Sequence, residues 1–251
     1  MDSFQVVPTC GVPGRSCLRS LPAGALLSSL VAFALYVMLA WHVRRQPQSP
    51  LDLAVTLRVQ RLEHPWLTRA MRVVSWLGFR PQSLILPALT VGTCWVTRRW
   101  SESLLLLLAW TASIGSYLTK RVIRRPRPQH PRIRVSRATL RDTSYPSGHA
   151  VHYTAFWGLA AYLAARAAPG KRLRLGIAGL AAMLIVLVGP SRIYLGHHWF
   201  TDVLGSYLLG SAWLAALISL DRCLRSSPQR SLPVVSESEC AAAQRVALVE
   251  G

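Results

Sequence analysis

The stretch YPSGHAVHYTAFWGLAAYLAAR, residues 145–166, joins a polar motif directly to a long apolar run. After His149 it contains no acidic residue, lysine or arginine until Arg166. An uncharged apolar run of this length is typical of a helix that crosses the hydrocarbon core of a bilayer. The stretch therefore predicts a membrane-spanning helix that begins near Ser147, at a polar surface.

Five further apolar runs surround this stretch and predict the rest of the fold. They cover residues 23–43, 82–97, 103–119, 175–190 and 201–220. Over the whole chain 51% of the residues are hydrophobic and only 16% are charged, a composition typical of polytopic membrane proteins. The sequence therefore predicts an all-α membrane protein with six transmembrane helices.

The segments outside the six runs predict further regions. Residues 1–20 contain several prolines and glycines and predict a flexible leader, and residues 222–251 predict a disordered tail. Residues 21–221 form the predicted membrane domain, whose first run we expect to be an uncleaved span and not a signal peptide. Within this domain, residues 44–80 carry apolar residues at helical spacing with arginines between them. This pattern predicts one or two amphipathic helices in the membrane interface.

The charge of the chain indicates which partners to expect. The formal net charge is +19 and comes almost wholly from arginine. Because the basic residues lie in short stretches between apolar runs, the expected partners are the bilayer and a phosphorylated lipid, and not nucleic acid. The five cysteines form no Cys-x-x-Cys pair, so the sequence predicts neither a zinc site nor a disulfide framework.

Three polar motifs lie at the ends of the predicted spans. They are Lys120 with Arg127-Pro128, residues 145–149, and Ser191-Arg192 with His198 and Asp202. Six spans place both chain termini on one face of the membrane, so all three motifs fall on the opposite face. The sequence therefore predicts that the motifs converge on one phosphate group at a membrane surface.

The second motif has the features of an anion site at the start of a helix. Pro146 suits the first turn, where its missing N–H costs nothing, and the free amides of that turn attract an anion. Gly148 allows the anion to approach the backbone, the Ser147 hydroxyl can add a donor, and His149 has a proton to give. A capped helix start that happens to carry a histidine would show the same pattern.

Lys120 and Arg127 supply the positive charge that a phosphoryl group needs. Lysine acts as a point charge, whereas arginine can bind two phosphate oxygens at once. Many other arginines flank Arg127, and a basic loop beside a membrane also binds anionic lipid without specificity. On these residues alone both interpretations stay open.

The third motif predicts a nucleophile. His198 and Asp202 are four residues apart, so on a helix they share one face. A carboxylate bonded to one imidazole nitrogen fixes the tautomer and makes the other nitrogen a better nucleophile. Arg192 can reach the same phosphate. His197 is a rival nucleophile, but Thr201, four residues on, cannot orient it in the same way. An interface histidine paired with an aspartate at a helix start is the structural alternative.

We expect no metal or other cofactor in this site. Beyond the interfacial segment, the motif side carries only the carboxylates of Asp142 and Asp202, whereas a magnesium or two-metal site needs several oxygen ligands. His149 and His152 have a spacing that could face a metal, but the surrounding cations would repel one.

Together the three motifs resemble the type 2 phosphatidic acid phosphatase superfamily, over residues 20–220. The resemblance implies a six-helix membrane enzyme without a metal. It implies that His198 attacks phosphorus to form a phosphohistidine, that Asp202 orients His198, and that His149 protonates the leaving oxygen and then activates water. It also implies that the phosphate oxygens are bound by Lys120, Arg127, Ser147, Gly148 and Arg192.

The predicted function is a metal-independent integral membrane phosphatase that acts on a lipid phosphate or diphosphate. Phosphatidic acid, phosphatidylglycerol phosphate and undecaprenyl diphosphate are the candidate substrates. A lipid phosphotransferase of the same superfamily and a non-enzymatic protein that binds anionic lipid are the alternatives. A count of Lys and Arg would place the motifs in the cytoplasm. The resemblance instead implies a site that faces the periplasm or exterior of a bacterial plasma membrane, which we adopt.

Overall fold

The computed structural model describes residues 23–136 and 143–226. In these ranges the chain is helical and forms no β-strand, which agrees with the all-α prediction. The α-helices are α1 (Ala23–Arg45), α2 (Pro50–Val59), α3 (Pro65–Ser75), α4 (Gln82–Val96), α5 (Trp100–Trp110), α6 (Ala112–Ile123), α7 (Gly148–His152), α8 (Gly158–Ala167), α9 (Lys171–Tyr194) and α10 (Phe200–Ser226). A 3₁₀ turn (Trp76–Gly78) follows α3, and a π-helical turn (Tyr153–Trp157) joins α7 to α8.

The chain divides into two compact units. The larger unit is Leu21–Arg222 and holds the helices up to the last turn of α10. Of the smaller unit, Met1–Ser20 with Cys223–Gly251, the described part is residues 223–226, which end α10. The helix thus continues beyond the predicted start of the tail at residue 222, because no proline or glycine occurs between Gly210 and Pro228. The predicted leader and the rest of the predicted tail lie outside the described residues.

Among the described residues, three helices are long and apolar enough to cross a membrane. They are Gly24–Arg45, Lys171–Tyr194 and Phe200–Ser226, and they coincide with the first, fifth and sixth predicted spans. The second predicted span corresponds to α4, an apolar helix of 15 residues with Pro87 inside it. The protein therefore has the apolar helices of an integral membrane protein, and the count of six spans stays a prediction.

The third predicted span is not one continuous helix. It is divided at Thr111, between the end of α5 and the start of α6. The Thr111 hydroxyl donates to the carbonyl oxygen of Leu108 at 2.6 Å, and its amide is shared between Leu107 and Leu108. A threonine hydroxyl that competes for backbone acceptors in this way weakens the regular helix ladder.

The fourth predicted span is helical and begins near Ser147, as predicted, but Pro146 does not lie in its first turn. The first helical hydrogen bond of α7 runs from the Val151 amide to the Ser147 carbonyl oxygen, at 3.1 Å. Ser147 is therefore the N-cap, with an extended backbone, and its own amide donates to the Ser206 hydroxyl at 2.7 Å. The placement of Pro146 in the first turn is wrong, since it lies outside the helix.

Segment 44–80 forms two helices, α2 and α3, as its pattern predicts, while residues 44–45 still belong to α1. Helix α2 turns polar side chains inward. Gln60, just after it, donates to the carbonyl oxygens of Arg134 and Tyr194. Helix α3 exposes Trp66 and other apolar side chains. The location of both helices in a membrane interface stays a prediction.

Helices α7 and α8 lie in the hydrophobic core, and this positions the second motif. Tyr145, just before α7, is fully buried and stacks on Tyr36 of α1, with 6.0 Å between the ring centroids. Phe156 and Leu159 are buried in one cluster with Leu105 of α5. The polar residues 147–149 are consequently held at the end of a well-packed helix.

Candidate active site

The three motifs come together at one end of the helices. The Arg127 guanidinium donates to the His197 carbonyl oxygen at 2.6 Å, and its Nη1 lies 3.3 Å from Nε2 of His198. The Ser147 amide reaches the carbonyl oxygen of Asp202 at 3.5 Å. The first and second motifs therefore both contact the third, as the topology argument predicts.

His198 is held in one tautomer by a backbone carbonyl. It is buried in the turn between α9 and α10, and its Nδ1 lies 2.8 Å from the carbonyl oxygen of Ser144. A carbonyl oxygen can only accept, so Nδ1 carries the proton and Nε2 keeps its lone pair. That lone pair lies beside the Arg127 guanidinium.

Asp202 does not orient His198 in the predicted way. Its Oδ2 is 3.6 Å from Nδ1 of His198, beyond hydrogen-bond distance. The carboxylate instead accepts from the Ser144 hydroxyl at 2.5 Å and from the Trp199 amide at 2.8 Å. The prediction assumed helical spacing, but α10 begins at Phe200, after His198. Asp202 therefore acts on Ser144, the residue that holds the imidazole.

The surroundings of His198 keep it uncharged. Burial lowers its pKa well below the usual 6.5, and the positive charges of Arg127, Lys120 and Arg192 lower it further. The same three cations are those that the motifs predict for phosphate binding, so the structure brings them all close to His198. At neutral pH the imidazole is the neutral base that nucleophilic attack requires.

Lys120 and the loop after it are tied to the second motif. The Lys120 ammonium donates to the carbonyl oxygen of Thr143, and the Thr143 hydroxyl donates back to the Lys120 carbonyl oxygen at 3.1 Å. Lys120 lies in the last turn of α6. These bonds fix the end of α6 beside residues 143–147.

Arg192 lies within a helix, beyond residue 190, where the fifth predicted span ends. Helix α9 continues to Tyr194, and Arg192 is fully buried in its last turn. The guanidinium lies over the ring of Phe79, 5.1 Å from its centroid. The Ser191 hydroxyl contacts the Ser75 hydroxyl at 2.7 Å and links α9 to α3.

His149 lies in the first turn of α7 and is packed from one side. Its ring meets the edge of Phe79, with 4.7 Å between the centroids, and Gly78 lies directly against it. A Cβ atom at Gly78 would lie 2.6 Å from Cγ of the ring. The Nε2 atom of His149 is buried and has no hydrogen-bond partner among the described residues. Sequence reasoning missed Gly78 and Phe79, which no motif marks.

Ser147 and Gly148, the two residues before His149, offer a hydroxyl group and open space, respectively. The Ser147 hydroxyl is buried and bonds to no residue of the described ranges. A side chain at Gly148 would meet no atom within 4 Å, so the backbone there faces open space. An anion can therefore approach the start of α7 closely, as the second motif predicts.

Two further functional candidates, Arg125 and Asp52, are absent from the sequence-based site. Arg125 belongs to the basic loop by sequence, yet it is buried and paired with Asp52 and Asp202 at 2.6 Å each. The only hint in the sequence is that Asp52 is the single acidic residue of the otherwise largely apolar α2. Within the described part of the chain, no group of three or more His, Cys, Asp or Glu side chains is arranged to hold a metal ion.

Comparison with known proteins gives consistent matches. The sequence model of the PAP2 superfamily matches residues 102–223, which contain all three motifs. Phosphatidylglycerophosphatase B of Bacillus subtilis is 31% identical over 186 residues, covering 71% of this chain and 87% of that protein. Decaprenylphosphoryl-5-phosphoribose phosphatase of Mycobacterium tuberculosis is 33% identical over 171 residues, covering 66% of this chain and 88% of that protein.

Two solved structures share the fold. A transmembrane PAP2-type phosphatidylglycerolphosphate phosphatase from Bacillus subtilis has a TM-score of 0.69 and 24% identity, covering 80% of this chain and 99% of that one. Aquifex aeolicus LpxE has a TM-score of 0.53 and 21% identity, covering 69% and 97%. The helices that carry the three motifs therefore belong to an architecture already known in membrane proteins.

Proposed function

Because this chain belongs to the PAP2 superfamily and is a phosphatase of lipid phosphates, we propose that it works through a phosphohistidine formed on His198. The observation that carries this proposal is the bond between Nδ1 of His198 and the Ser144 carbonyl oxygen. It leaves Nε2 as a neutral nucleophile within 3.3 Å of the Arg127 guanidinium. A bound phosphate would then have its phosphorus atom directly in front of Nε2.

In the first step, the Nε2 lone pair attacks phosphorus and the bond from phosphorus to the lipid oxygen breaks. His149 gives its proton to that oxygen, so the lipid leaves as an alcohol. A phosphate dianion next to His149 favours the protonated imidazole that this step needs. In the second step, water attacks phosphorus and gives a proton to His149. The phosphorus–nitrogen bond breaks, and inorganic phosphate leaves.

The phosphate oxygens are held by the positive groups and the helix start. We propose Lys120, Arg127 and Arg192 as the cations and Ser147 with Gly148 as the donors at α7. Charge on the equatorial oxygens rises in the transition state, and fixed donors stabilise it without reorganisation. The buried Ser147 hydroxyl and the open space at Gly148 support this assignment.

An apolar groove supports a lipid as the substrate. It has a volume of about 340 Å³ and begins at Leu77 and Tyr153, next to the Gly78 and Phe79 that pack on His149. His149 protonates the leaving oxygen, so the hydrocarbon chain of the leaving alcohol would extend to this side. Small side chains of α8 and α9 line the groove and leave space for this hydrocarbon chain: Ala160, Ala161, Ala164 and Ala181.

The choice among lipids is part of the proposal. Phosphatidic acid, phosphatidylglycerol phosphate and undecaprenyl diphosphate all carry a terminal phosphate on a lipid with long hydrocarbon chains. The names of the relatives favour a monoester carried on a larger lipid headgroup, as in phosphatidylglycerol phosphate. A second cavity of about 350 Å³ is lined by Arg127, Gln48 and Gln129, and we propose that water and product phosphate pass through it.

We also propose that the site faces the periplasm or exterior of a bacterial plasma membrane. A cysteine introduced at Gln129, on the loop beside the site, tests this with an impermeant thiol reagent in intact cells. We expect labelling above that of the unsubstituted protein. Protection of the new cysteine until the cells are lysed would place the site in the cytoplasm.

Phosphate release by the purified protein in detergent, with excess EDTA, tests the mechanism on the three candidate lipids. His198→Ala and His197→Ala form a matched pair, since the two histidines are adjacent and both buried. We expect release by the wild type and by His197→Ala and none by His198→Ala. Brief incubation with ³²P-labelled lipid should give an acid-labile, base-stable label on His198.

An active His198→Ala protein, or a label on His197, would contradict the nucleophile assignment. Transfer of the phosphoryl group to an added alcohol in preference to water would identify a phosphotransferase instead.

A further inference from the structure

Two buried carboxylates from distant parts of the chain share one arginine. Asp52 of α2, Arg125 and Asp202 of α10 are each at most 1% exposed. The Arg125 Nη2 lies 2.6 Å from Oδ2 of Asp52, and its Nη1 lies 2.6 Å from Oδ1 of Asp202. Charged groups are rarely buried this deeply unless each is paired, so the three depend on one another.

Arg125 also holds Ser144, the residue whose carbonyl oxygen binds His198. The Ser144 amide donates to the Arg125 carbonyl oxygen at 2.9 Å. The Ser144 hydroxyl donates to Asp202, the carboxylate that Arg125 pairs with. Arg125 therefore holds Ser144 in two ways: its carbonyl oxygen binds the Ser144 amide directly, and its guanidinium binds Asp202, which accepts from the Ser144 hydroxyl.

Asp52 fixes the other side of the nucleophile. Its Oδ1 accepts from the Thr201 amide at 2.8 Å, and its Oδ2 accepts from the Thr201 hydroxyl at 2.9 Å. Thr201 is in the first turn of α10, where amides have no partner within the helix and a negative charge is favourable. The Thr201 hydroxyl also accepts from Arg125 at 2.7 Å. Thr201, three residues after His198, thus anchors the start of α10 to α2.

We propose that Arg125 and Asp52 are positioning residues for the phosphoryl-transfer step. They fix the Ser144 carbonyl on one side of His198 and the start of α10 on the other, and so aim Nε2 at phosphorus. This inference rests on the proposed role of His198 as nucleophile. Because a misplacement of about 1 Å at a reacting group can cost roughly a hundredfold in rate, groups that never touch the substrate can control turnover.

The same chain contains a matched control. Arg166 of α8 also bridges two carboxylates, with Nη1 on Asp221 and Nη2 at 2.6 Å from Oε1 of Glu102. None of the bonds within this cluster of Arg166, Asp221 and Glu102 involves a motif residue. If a shared arginine between two carboxylates served only to stabilise the fold, both clusters would respond alike to substitution.

The test compares Asp52→Asn with Arg166→Lys, by kcat and KM for phosphatidic acid and by apparent melting temperature. We expect Asp52→Asn to lower kcat at least tenfold with KM within twofold, because the phosphate-binding cations are unchanged. The single-turnover rate of phosphohistidine formation should fall by the same factor. Arg166→Lys should keep kcat within twofold of the wild type at any temperature at which it is folded.

A second pair decides the matter if Asp52→Asn does not fold. Thr201→Val removes the hydroxyl that joins Asp52 to Arg125, and Thr201→Ser keeps it. We expect kcat to fall roughly threefold or more in the valine variant and to be restored in the serine variant. Equal kcat in both Thr201 variants, or a folded Asp52→Asn protein with wild-type kcat, would overturn the proposal. An inactive wild type or an active His198→Ala protein would instead contradict the proposed function.

Discussion

The Nδ1 atom of His198 lies 2.8 Å from the main-chain carbonyl oxygen of Ser144. A peptide carbonyl does not titrate and cannot rotate about a side-chain bond. It therefore selects the same imidazole tautomer at every pH at which the imidazole is neutral. The nearby Asp202 carboxylate, at 3.6 Å, acts mainly on Ser144 itself. In this protein a peptide unit, and not a carboxylate, is the direct partner of the nucleophile that we propose.

Ser144→Ala tests which group orients His198. The substitution removes the hydroxyl bond to Asp202 but keeps the carbonyl oxygen and the amide bond to Arg125. We expect kcat to stay within about tenfold of the wild type. The free energy of unfolding should fall by about 1–3 kcal/mol, because a buried carboxylate loses one donor. A loss of kcat as deep as that of His198→Ala, in a folded protein, would show that the hydroxyl and Asp202 orient the ring.

Gly78→Ala tests the packing of His149. The added methyl group would overlap the imidazole, 2.6 Å from Cγ, and force the ring out of its position. We expect kcat to fall at least tenfold while the helices stay folded, because only the ring has to move. Gly92→Ala is the control, since a side chain there meets no atom within 4 Å. Wild-type turnover by the Gly78→Ala protein would mean that His149 has another working position.

The stability of the protein should depend on pH through its buried histidines. Burial, together with Arg192, lowers the pKa of His197 to about 4, against about 6.5 in an unfolded chain. Between these values the unfolded state binds more protons, so the free energy of unfolding decreases as the pH falls. Lowering of the pKa of His198 acts in the same direction.

The apparent melting temperature across pH 4–8 measures this effect. We expect a plateau above about pH 7 and a progressive fall between about 6.5 and 4. His197→Gln should give a shallower fall, because one of the buried histidines with a lowered pKa is gone. A melting temperature that does not change down to pH 4.5 would show that these histidines bind protons as readily in the folded protein as in the unfolded one.

Filling the apolar groove should reduce activity on long lipids alone. Ala161→Phe places a ring in the groove that begins at Leu77 and Tyr153. We expect KM for a long-chain lipid phosphate to rise at least threefold, while hydrolysis of a water-soluble short-chain phosphate ester stays unchanged. Val186→Phe, on an exposed position of α9 outside the groove, is the control. If both substrates were affected alike, the groove would not be where the chain binds.

Much of the fold could be predicted from apolar runs, because a run that is uncharged and long enough has few alternatives to a helix. The membrane family was also predictable, since three motifs with fixed spacing occur together. The division at Thr111 was not, because it depends on one hydroxyl that bonds to the backbone. The start of α7 near Ser147 was predicted, but the position of Pro146 outside the first turn was not.

The residues of the site that act through their own charged or polar group could be predicted from the sequence. The residues that act by packing against these groups or by holding them in place could not. Lys120, Arg127 and Arg192 do gather around His198, as their motifs indicate. Gly78 and Asp52 belong to the segment that the sequence assigns to the membrane interface. No local pattern marks Gly78, and Asp52 is marked only as the single acidic residue of α2. The spacing of His198 and Asp202 predicted a direct hydrogen bond that is not formed. Residues four apart share a face only within a helix, and His198 lies before the start of α10.

The π-helical turn at Tyr153–Trp157 separates α7, which begins with the second motif, from α8, which packs in the core. A π turn holds one more residue than an α turn and so shifts the angular phase of everything after it. Ser147 and His149, which precede this turn, carry the second motif, whereas Phe156 within it and Leu159 after it are buried in the core. Removing one residue from this turn would rotate α8 relative to α7 by about 100°, because each residue of an α-helix accounts for about 100° of rotation. The π turn therefore sets the angle between the packing face of α8 and the motif residues at the start of α7.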